Sequence, residues 1–174
     1  MYFSAFDIFG EGGYLIQLPL ATSNRTPLEV ALQVVNEAGA LLAERFEGAL
    51  QITHKGRGNI VTDLDHLVEE RAIRLLREEF PSFGILAEES DQVISDSGYS
   101  WVIDPLDGTR NFASGVPLFS TVLALVYGED VVLGLTYDPL RGELFVAERG
   151  KGATLNGRPM HVSRRDQVQD GVLA

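Results

Sequence analysis

Cysteine is absent from this 174-residue chain, which removes disulfides and thiolate chemistry from consideration. Positive charge is scarce: 14 Lys and Arg face 25 Asp and Glu, for a formal net charge of −11. The Lys/Arg patches that grip a phosphate backbone are missing, and no nucleic-acid partner is expected. No Lys or Arg precedes Arg25, so the charged start of a secretory signal is lacking. The apolar, aromatic stretch from Met1 to Leu20 is interrupted by Asp7, Glu11 and the adjacent Gly12 and Gly13. It is too broken to span a membrane. The expectation is a cytoplasmic protein with no membrane partner, in which residues 1–25 are a tail or extension and 26–174 one domain. The three histidines, His54, His66 and His161, form no H-x-x-x-H pair, so a zinc site is not expected. Gly150-Lys-Gly152 lacks the spacing of a P-loop. Internal repeats and low-complexity segments are also absent.

What remains is an ordinary globular composition, 45% hydrophobic and 22% charged. Thr26-Pro27-Leu28-Glu29 combines an N-cap, Pro at the first helical position and a capping-box glutamate. Leu28, Ala31, Leu32, Val35, Ala38 and Leu42 then mark one helical face. A second helix is predicted from about Asp65 to Phe80, burying Val68, Ala72, Leu75 and Leu76, with Pro81 ending it. Apolar runs at 118–127, 130–137 and 143–148, separated by Gly- and Pro-bearing turns, predict an antiparallel meander. The fold class expected is α+β, two helices packed on an antiparallel sheet.

Acids sit at the ends of apolar runs. In Trp101-Val-Ile-Asp104-Pro-Leu-Asp107-Gly-Thr109-Arg-Asn-Phe112, two carboxylates enter a tight Pro/Gly turn. Pro105 pushes Asp104 into an extended conformation, and Gly108 lets the backbone approach whatever the acids bind. A helix beginning after Gly108 would offer free N–H groups to a phosphate. Read alone, the string is also a good plain turn. Phe83-Gly-Ile-Leu-Ala87 again reads as a short strand, ending in Glu88-Glu89-Ser90, and Ile60-Val-Thr62-Asp63-Leu-Asp65 runs directly into the second helix. Acids crowded at strand ends repel unless a cation sits among them. A strongly negative chain that must hold an anionic phosphate needs cations as well. Mg²⁺ suits both demands, since it prefers oxygen ligands and keeps waters that a substrate phosphate can replace.

These segments together resemble the inositol monophosphatase family of magnesium-dependent, lithium-sensitive phosphatases. The likeness continues through Gly134-Leu-Thr-Tyr-Asp138-Pro and Gly150-Lys-Gly-Ala153-Thr-Leu-Asn156-Gly and covers about residues 27 to 174. One departure is Ala87, where the family usually has Gly. The resemblance implies the first domain of the layered sugar-phosphatase fold. It implies two or three Mg²⁺ ions, inhibition by Li⁺, and hydrolysis of inositol monophosphate or a related polyol or sugar phosphate. By the same carry-over, Glu88 and Asp104 bind the first Mg²⁺ with the backbone carbonyl of Leu106. Asp104 bridges to a second ion that Asp107 also binds. Thr109, hydrogen-bonded to Asp65, helps deprotonate the water, and with Glu88 these two form the catalytic set. The N–H groups of Gly108 and Thr109 hold the phosphate. Glu89 has a supporting role, and Lys55 lies near a mobile loop.

In the family a second half supplies a Trp-Asp segment that completes the second metal site, and most contacts to the substrate's ring. Here Trp101 is the single tryptophan, and no other Asp matches that ligand. The expectation is therefore a first domain, incomplete as a catalyst, from a protein that forms homodimers when whole. The alternative is a catalytically silent Mg²⁺- or phosphate-binding module, or one that associates with another subunit. Within the enzyme class, fructose bisphosphate, histidinol phosphate and phosphoadenosine phosphate remain open as substrates.

Overall fold

The computed structural model describes residues 18–46, 48, 52–56, 59–88, 90, 92–163 and 167, with 52–56 and 59–62 described by their backbone. Helix α1 runs Pro27–Arg45. Its start is the capping box read from the sequence: Thr26 Oγ1 accepts from the Glu29 N–H at 3.2 Å, and Glu29 Oε2 accepts from the Thr26 N–H at 2.7 Å. Ala31, Val35, Ala38 and Leu42 are buried as expected, joined by Val30, Val34 and Leu41. Strands β1 (Ile52–Gly56) and β2 (Asn59–Thr62) form a small antiparallel hairpin. Helix α2, Asp63–Glu79, starts two residues before the predicted Asp65. Of the expected residues, Val68, Ala72 and Leu76 are buried on it while Leu75 is half-buried, and Asp65 and Glu69 are buried as well.

The main sheet has seven strands in the order β3 (Gly84–Ala87), β4 (Tyr99–Asp107), β5 (Ser120–Tyr127), β6 (Asp130–Asp138), β7 (Glu143–Glu148), β8 (Gly152–Leu155) and β9 (Arg158–Pro159). From β4 onward it is antiparallel: β5 to β7 are the meander predicted over 118–148, and β4, β8 and β9 extend it. The expected α+β layer is present with two additions. A short helix α3 (Thr109–Ala113) follows β4. The sheet is also mixed, because β3 pairs with β4 in parallel. The connection after β3 turns the chain back alongside it, where Val93 bridges to Ile85, so β4 starts from the same end of the sheet as β3 did.

Two apolar clusters hold the layers together. The larger lies between the helices and the inner face of the sheet, with Val30, Val34, Leu76, Phe80, Phe83, Trp101, Leu123, Leu133 and Leu135 at its centre. The second sits under α3, where Phe112 packs edge-on against Phe46 and Phe119 at centroid distances of 5.5 and 4.8 Å. It also contains Leu42, Leu64, Val68 and Leu106, so the turn after β4 rests on the same helices as the main core. The outer face of the sheet is different. One cross-strand row there reads Leu86, Val102, Ala124, Gly134, Ala147, Ala153. It is apolar throughout, and Leu86 is 44% exposed.

Gly39 shows how closely α1 lies on β6. A Cβ there would sit 2.4 Å from Cε1 of Tyr137 and 3.1 Å from Cβ of Pro139. At an open helical position Gly→Ala stabilises by up to about 1 kcal/mol. Gly39→Ala is expected instead to destabilise by about 1–2 kcal/mol through overpacking, as read from urea unfolding. A gain in stability would show that the helix does not approach the sheet this closely.

Candidate metal and phosphate site

The parallel pairing of β3 and β4 gives the site its position. Ala87 stands opposite Ile103, so Glu88 follows β3 at the end of the sheet where β4 delivers Asp104. An antiparallel pair would have carried these acids to opposite ends. Between Asp104 and Asp107 the register with β5 shifts. Pro105 cannot donate to the ladder, and the resulting irregularity re-aims the side chains around it. The distortion is held from beneath: the buried Thr121 hydroxyl donates to the Pro105 carbonyl at 3.0 Å. The Leu106 N–H donates to Asp104 Oδ1 at 3.1 Å.

Gly108 takes a left-handed conformation, φ +94°, and a Cβ on it would lie 3.0 Å from the Leu118 carbonyl oxygen. Glycine is therefore needed here for its backbone freedom and for the space. Thr109 opens α3 immediately afterwards. Its hydroxyl lies 3.1 Å from Asp65 Oδ1 and 3.0 Å from the Leu106 carbonyl, with one proton to share between them. Asn111 Nδ2 donates to the Leu118 carbonyl at 2.8 Å, closing the loop after the helix.

Electrostatically the turn after β4 sets like charges near one another. The Asp104 carboxyl is raised to about 6, first by partial burial and then by the negative charges of Glu88 and Asp107, with Asp65 adding a little. The Leu106 N–H works in the other direction. Glu88, Asp104, Asp107 and the Leu106 carbonyl offer only oxygen donors, the set that a hard ion such as Mg²⁺ takes. A cation among them would also relieve the repulsion that raises Asp104. The set fits the ion in kind of donor, but among the described residues no three acids or histidines are gathered into a finished metal cage.

The structure thus brings Thr109 to Asp65, and Asp104 into the field of Glu88 and Asp107, with Leu106, Gly108 and Thr109 on the turn between them. Glu89 and the side chains of Lys55 and Thr62 lie outside the described residues. Two residues at the site were not singled out from the sequence. Thr121 was hidden by the alternation of its strand, where a threonine passes for a β-former. Glu69 carried a usable signal: an acid four positions after Asp65, on the helical face that otherwise reads Val68, Ala72, Leu76.

A carboxyl whose pKa is raised on folding contributes fully below its unfolded value of 3.8, and that contribution is lost as the pH climbs through about 6. Above that pH, ionised Asp104 weakens the metal-free fold. Asp104→Asn, which keeps an acceptor for the Leu106 N–H, should stabilise the metal-free chain near pH 7.5 by about 1 kcal/mol, a figure reduced for solvent screening. The gain should vanish near pH 4. Thermal unfolding at the two pH values checks this, and an equal effect at both would show that the charge of Asp104 is not the cause.

The family model described as "Inositol monophosphatase family" matches residues 23–174. The chain is 38% identical over 150 residues to "Nus factor SuhB" of Haemophilus influenzae, a match spanning 84% of this chain and 56% of that protein. It is 40% identical over 137 residues to "Histidinol-phosphatase" of Chlorobaculum parvum, spanning 78% and 53%. A crystal structure of the extragenic suppressor protein suhB from Bartonella henselae superposes with a TM-score of 0.77 at 38% identity, spanning 79% of this chain and 55% of that one. The chain therefore spans about half the length of the relatives it matches. With its fold, its acid-bearing turn and these likenesses in agreement, the chain belongs to the inositol monophosphatase family.

Proposed function

We propose that this chain carries the metal- and phosphate-binding half of a Mg²⁺-dependent phosphomonoesterase. The observation that carries the reading is the parallel pairing of β3 and β4, which brings Glu88 to the end of the sheet where Asp104 and Asp107 enter their turn, beside the Thr109–Asp65 hydrogen bond. Glu88, Asp104, the Leu106 carbonyl and Asp107 would hold two or three Mg²⁺ ions. Bound there, the ions supply Lewis acidity and an acidified water. Asp65 holds the Thr109 hydroxyl in place, and Thr109 Oγ1 can accept a proton-bearing water through its remaining lone pair while its own proton rests towards Asp65. The N–H groups of Gly108 and Thr109 stand at the start of α3, where a helix has no acceptor of its own to offer them, and suit the phosphate oxygens.

For the substrate class we infer a small phosphorylated polyol or sugar, inositol monophosphate first, with histidinol phosphate, fructose bisphosphate and phosphoadenosine phosphate as competitors. Nothing within the turn selects among them. Asn111 is engaged with Leu118, and Phe112 is 2% exposed in the lower cluster, so both serve the turn's shape.

The test is phosphate release from inositol 1-phosphate by the purified chain, with and without Mg²⁺. Any release is expected to require Mg²⁺, to be inhibited by Li⁺ and to be lost in Asp104→Asn, whereas no release by the parent chain would mark it as a binding half whose turnover needs groups from elsewhere. Thr109→Ala should lower kcat by about 100-fold, the usual scale for a general acid–base contribution, with little change in Mg²⁺ affinity. Undiminished release by Asp104→Asn would refute the metal assignment.

A second reading, a silent module that works by association, is favoured by the outer sheet face. Val122, Ala124, Gly134, Phe145, Ala147 and Met160 line an open groove there of about 330 Å³. Asp104 lies in the same register row as Val122, Thr136 and Phe145, so a polypeptide seated on this face would reach the acids. Contiguous exposed apolar surface favours association. Light scattering on the isolated chain is expected to show concentration-dependent oligomers that Phe145→Lys disperses. A clean monomer at all concentrations would count against this reading.

A further inference from the structure

We propose that Glu69 is a positioning residue that fixes Glu88 through Ser90. The proposal rests on the reading of Glu88 as a metal ligand. Glu69 is 1% exposed on α2. Its Oε1 accepts a hydrogen bond from the hydroxyl of Ser90, two residues beyond Glu88. One turn earlier on the same helix, Asp65, 4% exposed, accepts from Thr109 at 3.1 Å. Helix α2 thus presents two carboxylates at i and i+4, which share a face, and each takes a hydroxyl from a different acid-bearing turn. Asp65 holds the turn that follows β4, and Glu69 holds the one that follows β3.

The buried polar side chains among the described residues make the same point. They are Asp65, Glu69 and Thr121, and Thr121 is bonded to the carbonyl of Pro105. All three are bonded to one of the two acid-bearing turns. Packing does not account for Glu69. Its neighbours on the helical face are Val68, Ala72 and Leu76, and an apolar side chain of similar size would fill that place without desolvating a carboxylate. Glu88 itself is exposed and lies just past the last residue of β3. The sheet therefore no longer fixes its direction, and the Ser90–Glu69 bond supplies the fixed point that the ladder does not. Groups that hold a metal ligand in place typically change metal affinity by about 10- to 100-fold when removed.

The experiment is Mg²⁺ calorimetry on the purified chain, with thermal unfolding of each metal-free variant alongside. Ser90→Ala is expected to weaken Mg²⁺ binding about tenfold, read at a temperature where the variant is folded, since the buried Glu69 also loses a hydrogen bond. Glu69→Met should weaken binding equally, measured at a temperature where the thermal unfolding shows the variant folded. Glu69→Gln keeps the Oε1 acceptor and should restore most of the affinity, which a merely space-filling role would not produce. Asp104→Asn is the reference. If Asp104→Asn abolishes binding while Ser90→Ala and Glu69→Met bind as the parent does, the positioning role is overturned and the metal site stands. If Asp104→Asn also binds as the parent does, the metal reading fails, and this inference with it.

Discussion

Strands β3 and β4 run side by side in the same direction, Gly84 opposite Ser100 and Ala87 opposite Ile103. The placement of Glu88 beside Asp104 depends on that pairing. It puts Glu88 and the Asp104–Asp107 turn at one end of one sheet, next to the start of α2, where Asp65 and Glu69 are buried. The pairing is itself held by packing. Phe83, Trp101 and Phe80 form an aromatic group under the two strands, with Phe80 and Phe83 stacked at 4.8 Å between centroids. Core packing and the placement of acids are thus the same event.

The site is expensive for the fold that carries it. Asp104 is raised to about 6 by burial and by its acidic neighbours. Gly108 holds a left-handed backbone that a side chain would resist. Carboxylates of α2 are buried where apolar groups would pack more readily. These departures from the cheapest solution cluster within one turn and the helix behind it, while the rest of the domain is conventional: capped helix, alternating strands, tight glycine turns. Local cost concentrated in this way is what a preorganised binding site requires.

The outer face of the sheet is apolar along one cross-strand row. Its apolar row from Leu86 to Ala153 continues into the row that contains Asp104. An α+β layer normally buries both faces of so apolar a sheet or leaves one of them polar. Here the acid turn stands at the edge of a face that the described residues leave uncovered, so the proposed association surface and the proposed metal site would adjoin.

Much was legible in the sequence because its signals are local. Thr26-Pro27-Leu28-Glu29 determined where α1 begins, since a capping box needs only residues three apart. The strands at 120–127, 130–138 and 143–148 followed from alternation and turn residues. The Asp104–Thr109 string determined the shape of its own turn, because Pro105 and Gly108 act on the backbone next to them. Which acids stand together was decided only by the tertiary structure. The parallel register of β3 on β4, the reach of Asp65 to Thr109 across 44 residues and that of Glu69 to Ser90 across 21 are long-range contacts. No spacing along the chain encodes them. They exist because burial of the aromatic and aliphatic core fixes how α2 lies against the end of the sheet.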